Sequence, residues 1–190
     1  MSLINIIKNN LIIQNIASTI ISLIPPYLHF SLAKYLAIKK AMLITAQDDT
    51  RGSYLEFGVF TGSTFNHAIK EHKKIKKLGY KNMDCEFIGF DSFKGFGDIK
   101  KGDEHPHFVD EIFSVNEEKV LKNIAKLARG QKYRIVKGFY ENTIKNKTTK
   151  DLKIDKAKII MIDCDLKEPT MLALTFIKPS LQEGTIILFD

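Results

Sequence analysis

The apolar positions change period once along this chain. Near the start they fall at Leu3, Ile6, Ile7, Leu11, Ile13, Ile16 and Ile20. That spacing lays them along one face of a helix. Lys8, Asn9, Asn10, Gln14 and Asn15 interrupt the run. No stretch therefore reaches the roughly 20 apolar residues that span a bilayer, and the compact order of a signal peptide is missing. Such a helix would pack on the domain or on a second subunit, or lie on a membrane surface. Pro25-Pro26 breaks it, and a second helix is predicted from about Ser31 to Gln47. The charged turn DDTRG, 48–52, then closes a helical extension over residues 1–50.

Beyond it come short apolar runs of strand length: SYLEFGVF, CEFIGFD, YRIVKGF, AKIIMID and GTIILFD. Helical patterns separate them. GSTFNHAIKEHKKIKK follows the first strand. SVNEEKVLKNIAKLA precedes the third, with Ser114 and Glu117 in capping-box spacing. A last helix runs from about Pro169 to Ile177, with Glu168 and Pro169 as its start and proline at the first helical position. Strands apolar on both faces and alternating with helices predict a Rossmann-like, doubly wound, mostly parallel α/β sheet over residues 51–190.

Composition changes this picture little. The chain has 190 residues, 44% of them apolar, enough for a globular core. A net charge of +7 favours an anionic partner without choosing one. Cys85 and Cys164 show no metal or redox spacing, which suits a reduced, cytoplasmic protein.

Charge placement is more informative. Three strands end in acids: Asp91, Asp163 and Asp190. In doubly wound sheets ligands bind outside the carboxyl ends of the strands. Asp163 and Asp165 stand two apart, and strand alternation would turn both toward one site. Glu56, Gly58 and Gly62 form E-x-G-x-x-x-G across a strand-to-helix turn. Glycines there admit a ligand close to the backbone. An acid at Glu56 suits an ammonium or a sulfonium, not a pyrophosphate. The spacing is neither the dinucleotide fingerprint nor the P-loop. Asp91, ending the second strand, is placed to accept hydrogen bonds from ribose hydroxyls. The lysine-rich KEHKKIKKLGYKN reads as a solvated helix end, with nucleic-acid contact the weaker alternative. The loop KGFGDIKKGDEHPHF, 94–108, suits a mobile lid, and His105 or His107 in it could ligate a metal or act as a base.

Together YLEFGVFTGST, FIGFDSFKGF, IVKGFYENTI, IDCDLKEPT and GTIILFD resemble the macrocin O-methyltransferase family, in family order over residues 53–190. The resemblance implies a class I methyltransferase that uses S-adenosylmethionine and Mg²⁺ to methylate a hydroxyl, on a sugar or another small natural product. It implies that the turn Glu56–Gly62, with Gly58, holds the methionine part of the donor. Asp91 and Ser92 would hold the ribose, Asp163 and Asp190 the metal, and Asp165 would be the general base. Lys167 departs from the family's usual tyrosine. The family's fold continues into two further strands, so a chain truncated after strand five is expected. Two rival readings are an RNA methyltransferase, and an inactive homologue that only binds donor or partner. The apolar N-terminal helix makes a homodimer a further expectation.

Overall fold

The computed structural model describes residues 10–80, 83–97, 99 and 114–190, without the side chains of Pro26 and Tyr27. His105 and His107 lie outside the described residues, as do Leu3, Ile6 and Ile7. The described chain divides into two compact units, one up to Lys34 and one from Tyr35 onward.

Helix α1, Leu11–Ser22, belongs to the first unit and carries no charged residue. Asn10 caps it, its side chain accepting from Ile12 N–H at 3.0 Å and Ile13 N–H at 3.3 Å. None of its residues is buried. Helix α2, Pro26–Gln47, begins earlier than expected. Pro26 is its first residue, where a missing N–H costs nothing. The expected domain boundary near residue 50 falls inside the second unit. The reason is packing: Ile38, Ala41, Met42 and Ala46 of α2 are buried in the sheet's core.

The second unit continues β1 (Ser53–Phe57), α3 (Ser63–Lys76), β2 (Glu86–Asp91), α4 (Glu117–Leu127), β3 (Lys132–Lys137), the single turn α5 (Tyr140–Thr143), β4 (Ala157–Ile162), α6 (Lys167–Ile177), a 3₁₀ turn (Lys178–Ser180) and β5 (Ile186–Phe189). The five strands form one parallel sheet in the order β3-β2-β1-β4-β5. The expected Rossmann-like α/β architecture is therefore present. Alternation divides the strand residues between two cores. Tyr54, Phe87, Ile159 and Met161 pack with α2, α3 and α4 on one face. Leu55, Phe57, Ile88, Phe90, Ile160 and Ile162 pack with α5 and α6 on the other.

Two further helix starts differ from expectation. The N-cap of α4 is Asn116, accepting from Lys119 N–H at 2.9 Å, not Ser114. Ser114 instead pairs with Lys94 in a β-bridge, so its backbone is already committed. Helix α6 begins at Lys167, which moves Pro169 from the first to the third helical position. That is still within the first turn, where an N–H finds no partner inside the helix. The lysine-rich end of α3 is put to structural use. Lys73 Nζ donates to the carbonyls of Leu127 and Arg129, both at 2.8 Å, satisfying the C-terminal end of α4. Lys74 pairs with Glu71 at 2.7 Å. Among the described residues no helix is long and apolar enough to cross a membrane.

Candidate active site

The parallel ladder continues one bond past most strand ends. Gly58 N–H donates to Phe90 O at 3.0 Å, Gly138 N–H to Asp91 O at 2.9 Å, Asp163 N–H to Phe57 O at 2.9 Å, and Asp190 N–H to Ile162 O at 3.1 Å. These bonds align the turns along the carboxyl edge of the sheet. A cleft opens there, lined by Gly58, Phe60, Asp91, Ser92, Gly95, Phe96, Gly138, Phe139, Tyr140, Glu141, Asp163, Cys164, Asp165, Leu166, Glu168 and Pro169. Five of the eight candidate residues thus meet in one place: Gly58, Asp91, Ser92, Asp163 and Asp165. Glu56, Gly62 and Asp190 are not among its lining residues.

Gly58 has φ +92°, and a Cβ built on it would sit 1.9 Å from Asp163 O. Only glycine lets the β1 turn lie against the β4 turn this closely. Gly62 packs against α4. It starts α3 at φ +76°, and its Cβ would press on Ile124 at 3.3 Å. Glu56 is fully buried on the α3 face of β1. Its carboxylate accepts hydrogen bonds from the hydroxyls of Tyr54 and, at 2.7 Å, Thr64. Burial first, then the Glu56 charge, push Tyr54 well above the usual phenol range, so Tyr54 stays a donor.

Asp91 ends β2 with both carboxylate oxygens engaged by backbone N–H groups. Oδ2 accepts from Phe60 N–H at 2.7 Å and Oδ1 from Phe93 N–H at 2.6 Å. Burial raises its pKa above the usual carboxylate value, and backbone N–H groups, those of Phe60 and Phe93 foremost, oppose that rise. Ser92 folds the following turn: its Oγ donates to Gly95 O at 3.0 Å and accepts from Lys94 N–H at 3.1 Å.

Asp163 and Asp165 both reach the cleft, but not by strand alternation. Strand β4 ends at Ile162, and Asp165 has φ +58° in the turn that follows. Cys164 between them is turned inward. Its Sγ donates to Phe57 O at 3.7 Å and Tyr140 Oη at 3.9 Å. Burial pushes this thiol up to about 12, so it is no thiolate nucleophile at neutral pH. Among the described residues, three of the five non-glycine residues with positive φ, namely Phe60, Phe93 and Asp165, belong to the turns at this edge. Each left-handed residue costs roughly 1 kcal/mol or more, a strain typical of ligand sites.

Sequence reasoning missed the aromatic side of the cleft. Phe60, Phe96, Phe139 and Tyr140 line it together with Glu141. A signal existed in GFYENT, which follows the third strand just where ligands bind. Glu168, read as helix-start chemistry, lines the cleft as well.

For Mg²⁺, the described residues bring no three His, Cys, Asp or Glu side chains together as a metal site. A cation here would rest on one or two carboxylates and water, a set that Mg²⁺ commonly uses. Asp163 and Asp165 in the cleft offer that minimum. Asp190 stands at the neighbouring strand end, outside the lining.

Comparison with known proteins bears on the fold and the family. Among solved structures, the calicheamicin methyltransferase CalS11 superposes with a TM-score of 0.66 at 21% identity, over 99% of this chain and 74% of that one. The O-methyltransferase NovP gives 0.63 at 20% identity, over 82% of this chain and 63% of its own length. A second CalS11 structure, described as an apo TDP-rhamnose 3′-O-methyltransferase, gives 0.55 at 21% identity, over 99% of this chain and 74% of that one. At these identities the likeness is one of fold. Comparison with curated proteins gives no match. The macrocin-O-methyltransferase (TylF) family profile matches residues 33–190, the whole sheet unit with its site. The chain belongs to the macrocin-O-methyltransferase family, and is a methyltransferase by that membership.

Proposed function

We propose that the chain transfers a methyl group from S-adenosylmethionine to a hydroxyl of a sugar or a similar small natural product. One observation carries this reading: Asp91 and Gly58 share a single cleft with Asp163 and Asp165. The first pair suits a nucleoside donor, with Gly58 allowing close backbone approach and Asp91 accepting from ribose hydroxyls. The second pair suits an acceptor hydroxyl, which must lose a proton. The family profile, and the rhamnose named for the CalS11 neighbour, favour a sugar.

In this mechanism the acceptor oxygen attacks the donor's methyl carbon as the sulfonium–carbon bond breaks. The sulfonium leaves as a neutral thioether, and the hydroxyl proton passes to Asp165. Asp165 is thus the general base. Asp163 orients the acceptor, and the aromatic wall excludes water from the transfer. Holding donor and acceptor in line supplies much of the rate. A divalent cation bound at Asp163, with Asp190 nearby, would lower the hydroxyl's pKa. Glu56, spent on two hydroxyls, supports the donor turn from below.

Calorimetry with S-adenosylhomocysteine, together with methyl transfer to a panel of nucleotide sugars and glycosides, tests the reading. Asp165→Asn should keep donor affinity within about two-fold and lower turnover by 10²-fold or more, on the scale of a lost general base. Chelator should lower turnover, and magnesium should restore it. Wild-type protein that binds no S-adenosylhomocysteine would overturn the proposal.

A further inference from the structure

The two oxygens of Asp91 do something that ribose binding does not require. Oδ2 takes the N–H of Phe60, from the turn after β1, and Oδ1 takes that of Phe93, from the turn after β2. Both phenylalanines are left-handed, at φ +49° and +58°. A side chain with a Cβ avoids that region unless something holds it there. Phe60 and Phe93 lie 33 positions apart in the sequence, and one carboxylate fastens both. Their rings then go separate ways: Phe93 is 3% exposed in the core, while Phe60 is 37% exposed and lines the cleft.

We infer that Asp91 is a positioning residue as well as a ligand-binding one: its carboxylate pins the left-handed turns at Phe60 and Phe93 together and so sets the shape of the donor end of the cleft. The pin acts through backbone N–H groups, so it should matter for a ligand that has no ribose hydroxyls at all. The turn carrying Phe60 is also the turn carrying Gly58, so a released Phe60 would disturb the closest backbone approach in the site. This inference rests on the donor reading for its binding arm only.

The test uses Asp91→Asn in the full chain, with two ligands. One is S-adenosylhomocysteine, and the other is its 2′,3′-dideoxy analogue, which offers Asp91 no hydroxyl. Affinities are measured where circular dichroism shows each variant folded. A pin predicts that the variant weakens both ligands, the dideoxy analogue by about ten-fold, the scale of one lost charge-assisted hydrogen bond. A purely ribose-directed Asp91 predicts unchanged affinity for the dideoxy analogue, which would overturn the inference. A second arm needs no ligand. Phe60→Gly removes the Cβ that makes the left-handed turn costly, so Asp91→Asn should lower the unfolding midpoint less in the Phe60→Gly background than in wild type. Additive midpoints would also overturn the pin. If wild type binds neither ligand, the donor reading fails, and this second arm alone decides the pin.

Discussion

His72 shows how a single buried side chain can set a pH limit. It is 1% exposed on α3, meets the ring of Phe87 edge-on at 5.3 Å, and has no hydrogen-bond partner at either ring nitrogen among the described residues. Burial, then the charges of Lys158 and Lys76, pull its pKa down to about 4. An unfolded histidine titrates near 6.5, so the unfolded chain binds more protons between those values. The stability this residue supports is therefore complete above about pH 6.5 and lost as pH falls toward 4. A shift of this size corresponds to about 3 kcal/mol. Urea titrations from pH 7 to 4 should show wild type losing on the order of that much relative to His72→Leu. Parallel curves would contradict it. None of this was legible in the sequence, where His72 is one residue in a lysine-rich helix. Glu56 was half legible. An acid inside an apolar strand announces a purpose, and Tyr54 two positions away must share its face. That Thr64 joins its shell depends on how α3 docks, which no local pattern encodes.

At the level of elements, the turns matter more than the strands they join. The five strands were readable because apolar residues on both faces leave few alternatives. The four-residue α5 was not, being too short to show a period. Ser114 and Asn116 are chemically similar caps, and only the bridge from Ser114 to Lys94 decides between them. The β1–α3 turn gives a direct test. Gly58→Ala forces a Cβ onto Asp163 O and should cost on the order of 3 kcal/mol in thermal or urea unfolding, the range of overpacking with backbone strain. Gly79→Ala is its control. Gly79 also has positive φ, +85°, but a Cβ there meets nothing within 4 Å. It should cost about 1 kcal/mol, the left-handed penalty alone. Equal losses at the two positions would mean that the contact between the β1 and β4 turns is dispensable.

For the whole molecule, the sequence points to the carboxyl edge of the sheet because three strands end in acids and parallel sheets bind ligands on that side, and the cleft opens at that edge. The sequence divides the chain at the charged turn 48–52, which is a local signal. The compact units meet at Lys34, ahead of the buried Ile38 and Met42. A ligand that binds only the folded chain stabilises it by mass action. S-adenosylhomocysteine at 100 times its dissociation constant should add about 2.7 kcal/mol. For a chain of this size that raises the melting temperature by roughly 5–10 °C. An unshifted melt at saturating ligand would argue against binding to the native state.

The strand order has a consequence in time. β1 pairs with β2 on one side and β4 on the other. The contact between Cys164 and Phe57 spans 107 residues of sequence. During synthesis β1, β2 and β3 can assemble early, but β1 then keeps an open edge until β4 emerges. Such an edge is a template for mispairing, and pairings this distant are slow to form. The floor of the cleft, where Gly58 meets Asp163, is therefore among the last parts to be made. The carboxylates of Asp163 and Asp165 join the cleft only after the residues around Gly58 and Asp91 have long been made.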